Sequence, residues 1–116
     1  MKDGYVEKIV SLCEQLDNYT KVGVKKHNIA MDNLAAIYHE LEKNKDYASE
    51  LYLSLMKNSD YRVQYIAAAH CLGMNINISI AQKTLGQIAK NNPDPLVRHN
   101  ADMTLEVWKE QGYLNF

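Results

Sequence analysis

Asn58-Ser59-Asp60-Tyr61-Arg62-Val63 and Asn92-Pro93-Asp94-Pro95-Leu96-Val97 open two copies of one pattern. Asp60 is followed by Val63, Ala67 and Cys71, and Asp94 by Val97, Ala101 and Leu105, with 34 residues between equivalents. Each aspartate can accept hydrogen bonds from the free amides of the next turn, so both are expected to be helix N-caps. Pro95 falls at the first helical position, where a missing N–H costs nothing. Valine, alanine and the residue four further on then share one face of a helix. The alanines let a neighbouring helix come close. A fixed period in the range of about 20–50 residues is the mark of stacked helical repeats.

Working outward, the rest of the chain supplies matching helices. Residues 4–18 carry Tyr5, Ile9, Leu12 and Leu16 at helical spacing, with Asp17-Asn18 expected to end the helix and Thr20 to cap the next. Residues 21–43 continue with Val24, Met31, Leu34, Tyr38 and Leu41. A short Asn44-Lys45-Asp46 turn leads to residues 46–57, with Ala48, Leu51, Tyr52 and Leu55 inward. Residues 61–72 are apolar nearly all round, which predicts a helix buried on more than one side. Gly73 is expected to stop it. Ser79 and Gln82 fit a capping box for residues 79–90, and residues 95–111 form the last helix, ended by Gly112. Tyr113, Leu114 and Phe116 make an apolar tail, expected to fold back over the open end of the stack. The predicted fold is all-α: a short solenoid of about six helices in three antiparallel pairs, residues 5–43, 46–72 and 79–111. Residues 1–116 form one domain.

Composition narrows the function. The 116 residues are 47% hydrophobic and 23% charged, which is a globular balance. A chain of this size buries roughly 65% of its unfolded surface. A net charge of −1 argues against a general nucleic-acid binder. Cys13 and Cys71 lie on predicted apolar faces and are expected to be buried thiols in a reducing compartment. The first residues carry Asp3 and Glu7 and no continuous apolar run, unlike a signal peptide. No apolar stretch approaches the ~18 residues of a membrane span. The expectation is a cytoplasmic protein.

No catalytic constellation emerges, and no enzyme activity, metal or cofactor is expected. His39-Glu40 has no second histidine at zinc-helix spacing. His70 and Cys71 point about 100° apart and cannot easily share an ion. There is no glycine-rich phosphate loop and no nucleophile elbow. Lys21, Lys25, Lys26, His27 and Asn28 crowd the start of the second helix, an end whose dipole prefers anions. Asn100 precedes the inward Ala101 and could tie its repeat to the preceding one. A curved stack offers a face built from its second, fourth and sixth helices. The partner-binding candidates there are Lys25, Asn28, Tyr65, His99 and Asp102.

Asp60…Val63…Ala67 and Asp94-Pro95-Leu96-Val97-Arg98…Ala101 resemble HEAT repeats. The run from Asn100 through Asp102, Leu105 and Trp108 resembles the last helix of a family of small bacterial HEAT-like proteins of unassigned function. Lys26-His27-Asn28…Asp32…Ile37-Tyr38-His39-Glu40-Leu41 is similar to that family's long N-terminal helix. The likeness covers nearly the whole chain in order. One departure is Gln64, where the repeat pattern has arginine and the second copy keeps Arg98. The resemblance implies the fold first. Small HEAT-like proteins also serve as immunity proteins, so it implies a non-enzymatic binding module whose partner is a cognate toxin domain. The alternative is a scaffold or nucleic-acid binder, with Lys21, Lys25, Lys26 and His27 on phosphates and Tyr65 or Trp108 stacking on bases.

Overall fold

The computed structural model describes residues 2–16 and 21–116, with side chains at 4–16 and 25–116. Among these the elements are six helices: α1 (Lys2–Cys13), α2 (Lys21–Leu41), α3 (Lys45–Leu55), α4 (Tyr61–Met74), α5 (Ile78–Asn91) and α6 (Pro95–Gln111). α1 is shorter than its apolar stripe suggests: Gln15 and Leu16 already bond back in tighter turns to Leu12 and Cys13. The expected end at Asp17-Asn18 and the cap at Thr20 lie outside the described residues, as do the side chains of Lys21 and Val24. No described helix is long and apolar enough to cross a membrane.

The two repeat turns are built alike. The Asp60 amide donates to Asn58 Oδ1 at 2.8 Å, and the Asp94 amide to Asn92 Oδ1 at 3.0 Å. Asp60 Oδ1 then accepts from the Arg62 amide, and Asp94 Oδ1 from the Leu96 amide, each at 2.9 Å. Gln64 Nε2 donates to the Asn58 carbonyl at 2.6 Å, as Arg98 Nη1 does to that of Asn92 at 2.7 Å. The departure at Gln64 therefore preserves the tie, because an amide reaches the same carbonyl as a guanidinium. Replacing Asp94 with alanine is expected to lower stability by about 1 kcal/mol in a urea melt, the usual worth of such a cap. Asp60→Ala should cost more, since Asp60 also holds the Arg62 side chain.

α4 is the hub. It packs against α1, α3, α5 and α6, and its His70 ring meets Tyr38 of α2. Val63, Ala67 and Cys71 are wholly inaccessible, and Ile66, Ala68 and Leu72 are buried beside them. α3 adds Ala48, Leu51, Tyr52 and Leu55, α5 adds Ala81, Leu85 and Ile88, and α6 adds Ala101 and Leu105. Trp108 is partly buried against this core. Cys13 and Cys71 are buried free thiols, both pushed up to about 12 by burial.

Two boundary expectations are corrected. Gly73 does not stop α4, which continues to Met74 and is capped by Asn75 in the left-handed region at φ 57°. Gly73 is instead a point of close approach. A Cβ there would lie 2.7 Å from Tyr38 Oη and 2.9 Å from the Phe116 ring. The Ser79–Gln82 capping box gives way too, because α5 starts earlier and its N-cap is Asn77, also left-handed at φ 47°. Asparagine tolerates that conformation better than other side chains. The Asn77 amide serves a neighbour: Nδ2 donates to the Ser49 carbonyl at 2.9 Å, and Ser49 Oγ donates to Asn77 Oδ1 at 3.1 Å. That pair of bonds fixes the α4–α5 turn to α3.

Candidate functional site: a cleft among three helix starts

The repeated caps set the first turns of α4 and α6, and the N-terminal half of α2 approaches both. Between them lies an open cleft of about 240 Å³. α2 supplies His27 and Met31, and α4 supplies Tyr61, Arg62, Tyr65 and Ile66. The α6 side supplies Asp94, Leu96, Val97 and Asn100, and Leu16 closes the remaining edge.

Among the positions at which the two repeats differ here, one changes the polarity of the cleft most. In the first copy it is Arg62, whose Nε and Nη2 return to Asp60 at 3.1 and 2.8 Å while Nη1 donates to the Glu14 carbonyl at 3.0 Å. These bonds hold the Asp60 carboxyl below its ordinary range, with burial opposing them. In the second copy the position is Leu96, 47% exposed. Tyr61 at the opposite rim is 39% exposed. The cleft thus has two exposed apolar side chains at its mouth, Ile66 and Val97 deeper, and a guanidinium fixed in place at one end.

Tyr65 is the strut of the wall. Its hydroxyl lies 3.2 Å from the Asn100 carbonyl and donates to Thr104 Oγ1. Thr104 Oγ1 donates in turn to the same carbonyl at 2.9 Å. α4 and α6 are therefore tied through the main chain of Asn100, and not through its side-chain amide as expected from sequence. Tyr65→Phe should cost about 1 kcal/mol in urea unfolding, the net worth of a partly buried hydrogen bond.

Comparison with family models, with curated proteins and with solved structures finds no match for this chain. The site is thus read from its own geometry. Of the five candidates named from sequence, Tyr65 lines the cleft. Lys25, Asn28, His99 and Asp102 are exposed and are not among its lining residues. Lys25 lies two positions before His27, about 200° around α2 from it. His99 and Asp102 flank the stretch of α6 whose Asn100 faces the cleft. Arg62, Tyr61 and Leu96 were missed. The signal for two of them was present as the mismatch of Arg62 against Leu96, one of several between the two repeats.

His39, Glu40 and His70 have separate roles. Tyr5 Oη donates to Glu40 Oε1 at 2.9 Å. His39 bridges Glu42 and the C-terminal tail. His70, 1% exposed, shares a 2.7 Å hydrogen bond with Tyr52 Oη through Nδ1. Burial, with the nearby His39 adding to it, lowers His70 to about 3, so it is a neutral core imidazole. No three histidine, cysteine or carboxylate side chains among the described residues converge to hold a metal ion.

Proposed function

We propose that this protein is a non-catalytic, HEAT-like protein-binding module that receives an apolar side chain of a partner protein between α2, α4 and α6. The observation that carries the reading is the cleft mouth, where Leu96 and Tyr61 stand exposed over an apolar interior. Exposed apolar side chains around a concavity lose water-contacting area when a partner side chain enters, at roughly 25 cal/mol per Å². The walls are tied by Tyr65 and Arg62, so little ordering opposes binding. In its more specific form the partner is a toxin domain and this chain its immunity protein, acting by occlusion.

The test is co-purification with the product of the adjacent gene, followed by affinity measurement on variants. Leu96→Glu and Tyr61→Glu should weaken the complex at least tenfold, whereas Lys25→Ala, His99→Ala and Asp102→Ala leave it within a factor of about three. The reverse ranking would move the binding surface to the outer faces of α2 and α6. A complex that forms without suppressing toxicity would leave the binding module and remove the immunity role.

A further inference from the structure

The C-terminal tail after α6 runs back to the core. Phe116 reaches α2 and α4, with its ring 4.6 Å from that of Tyr38 and 4.8 Å from that of His70. The seat exists because residue 73 is glycine: a Cβ there would press on Phe116 at 2.9 Å. The side chain of Tyr113, three residues earlier, is 52% exposed, while its carbonyl accepts from Gln111 Nε2 at 2.9 Å. The tail is held near its start by Leu114, packed against the core, and at its last residue by the Phe116 ring in its notch and one polar clamp.

That clamp is His39. Its Nε2 lies 2.8 Å from the Phe116 main-chain oxygen, and its Nδ1 lies 2.9 Å from Glu42 Oε1. Both partners are acceptors. A neutral imidazole has one N–H and can satisfy only one of them, whereas the imidazolium donates to both. We propose that Phe116, the last residue of the tail, is a latch, held shut by the doubly hydrogen-bonded imidazolium of His39 and released when that ring loses its proton.

The surroundings agree with this assignment. The hydrogen bonds that His39 donates to Glu42 and then to Phe116 raise it above its ordinary value, so the charged form extends towards neutral pH. The other titratable groups facing the clamp are Tyr38, whose ring meets His39 edge-on, and His70 of α4. Burial raises Tyr38 and lowers His70, so both stay neutral between pH 6 and 9. Glu40, the next residue, is engaged by Tyr5. His39 is thus the group on this latch whose charge changes in that range. By linkage, each pKa unit by which docking raises His39 makes the docking constant about tenfold smaller across the titration. Release would uncover Tyr38, Gly73 and the outer side of His70 as an aromatic notch.

Phe116 is the single phenylalanine of the chain, so ring-labelled phenylalanine gives one set of NMR signals. In the intact protein at pH 6 these signals should be displaced by the stacked rings and show contacts to Tyr38. Raising the pH to 9 should move them towards the free-phenylalanine position and remove those contacts, with the midpoint at which His39 itself titrates. His39→Gln should remove the pH dependence, and Glu42→Gln should lower the midpoint, both with unchanged helical circular dichroism. A Phe116 signal that stays displaced and in contact with Tyr38 at pH 9 overturns the latch, as does an unchanged transition in His39→Gln.

Discussion

Lowering the pH from 7 to 4 is expected to remove about 3 kcal/mol of unfolding free energy through His70 alone. In the unfolded chain His70 takes a proton near its ordinary value of 6.5, whereas burial in the fold lowers it to about 3. The unfolded state therefore binds the proton first. The stabilising effect of a neutral His70 is complete above 6.5 and is lost as the pH falls towards 3. Two other groups modify the curve. His39 is raised in the fold, so its contribution is complete below its ordinary value and is lost as pH rises, which partly offsets the acid loss. Asp60 is lowered from 3.8, so its contribution survives to pH 4 and disappears below it. Urea unfolding at pH 7 and pH 4 measures the difference. Replacing His70 and its partner Tyr52 together with phenylalanine removes the buried base without leaving its hydroxyl unpaired. If that double variant loses as much stability on acidification as the parent, His70 is not the cause.

Leu72→Ala is expected to destabilise the protein by about 2–5 kcal/mol, a large part of what a domain of this size has. Leu72 has no accessible surface and sits on α4, the helix that touches α1, α3, α5 and α6. Truncation there removes contacts on several sides, and neighbours tied by the Asn77–Ser49 bonds have little freedom to collapse into the space. Ile80→Ala is the control. Ile80 is also a helical aliphatic but is 44% exposed, so its loss should change stability by less than about 0.5 kcal/mol. Equal effects of the two substitutions in urea melts would mean that α4 is not the centre of the core.

Much of this was legible in advance because it is local. Asp60 and Asp94 cap the next turn through atoms two residues away, Pro95 needs no partner for its nitrogen, and Gly112 adopts φ 80° at the end of α6. Apolar spacing of three and four assigned Ala48, Leu51, Tyr52 and Leu55 to one face, and all four are buried. The misreadings share a physical cause. Glycine serves both to end helices and to let two chains approach, and only the position of Tyr38 and Phe116 selects the second role for Gly73. A serine-to-glutamine spacing suits a cap, yet Asn77 starts the helix because its amide is held by Ser49 on α3.

By itself, then, the sequence determined that the chain is helical, where most helices begin and end, and which faces are apolar, because those properties depend on hydrogen bonds and side-chain spacing within about one helical turn. The tertiary structure alone decided what meets across helices. Arg62 reaches the Glu14 carbonyl, Tyr65 reaches Asn100 and Thr104, and His39 reaches Phe116. Each of those contacts joins parts of the chain dozens of residues apart, and its geometry follows from how the helices are set against one another. The same holds for the cleft, whose walls come from the first turns of α4 and α6 and the N-terminal half of α2.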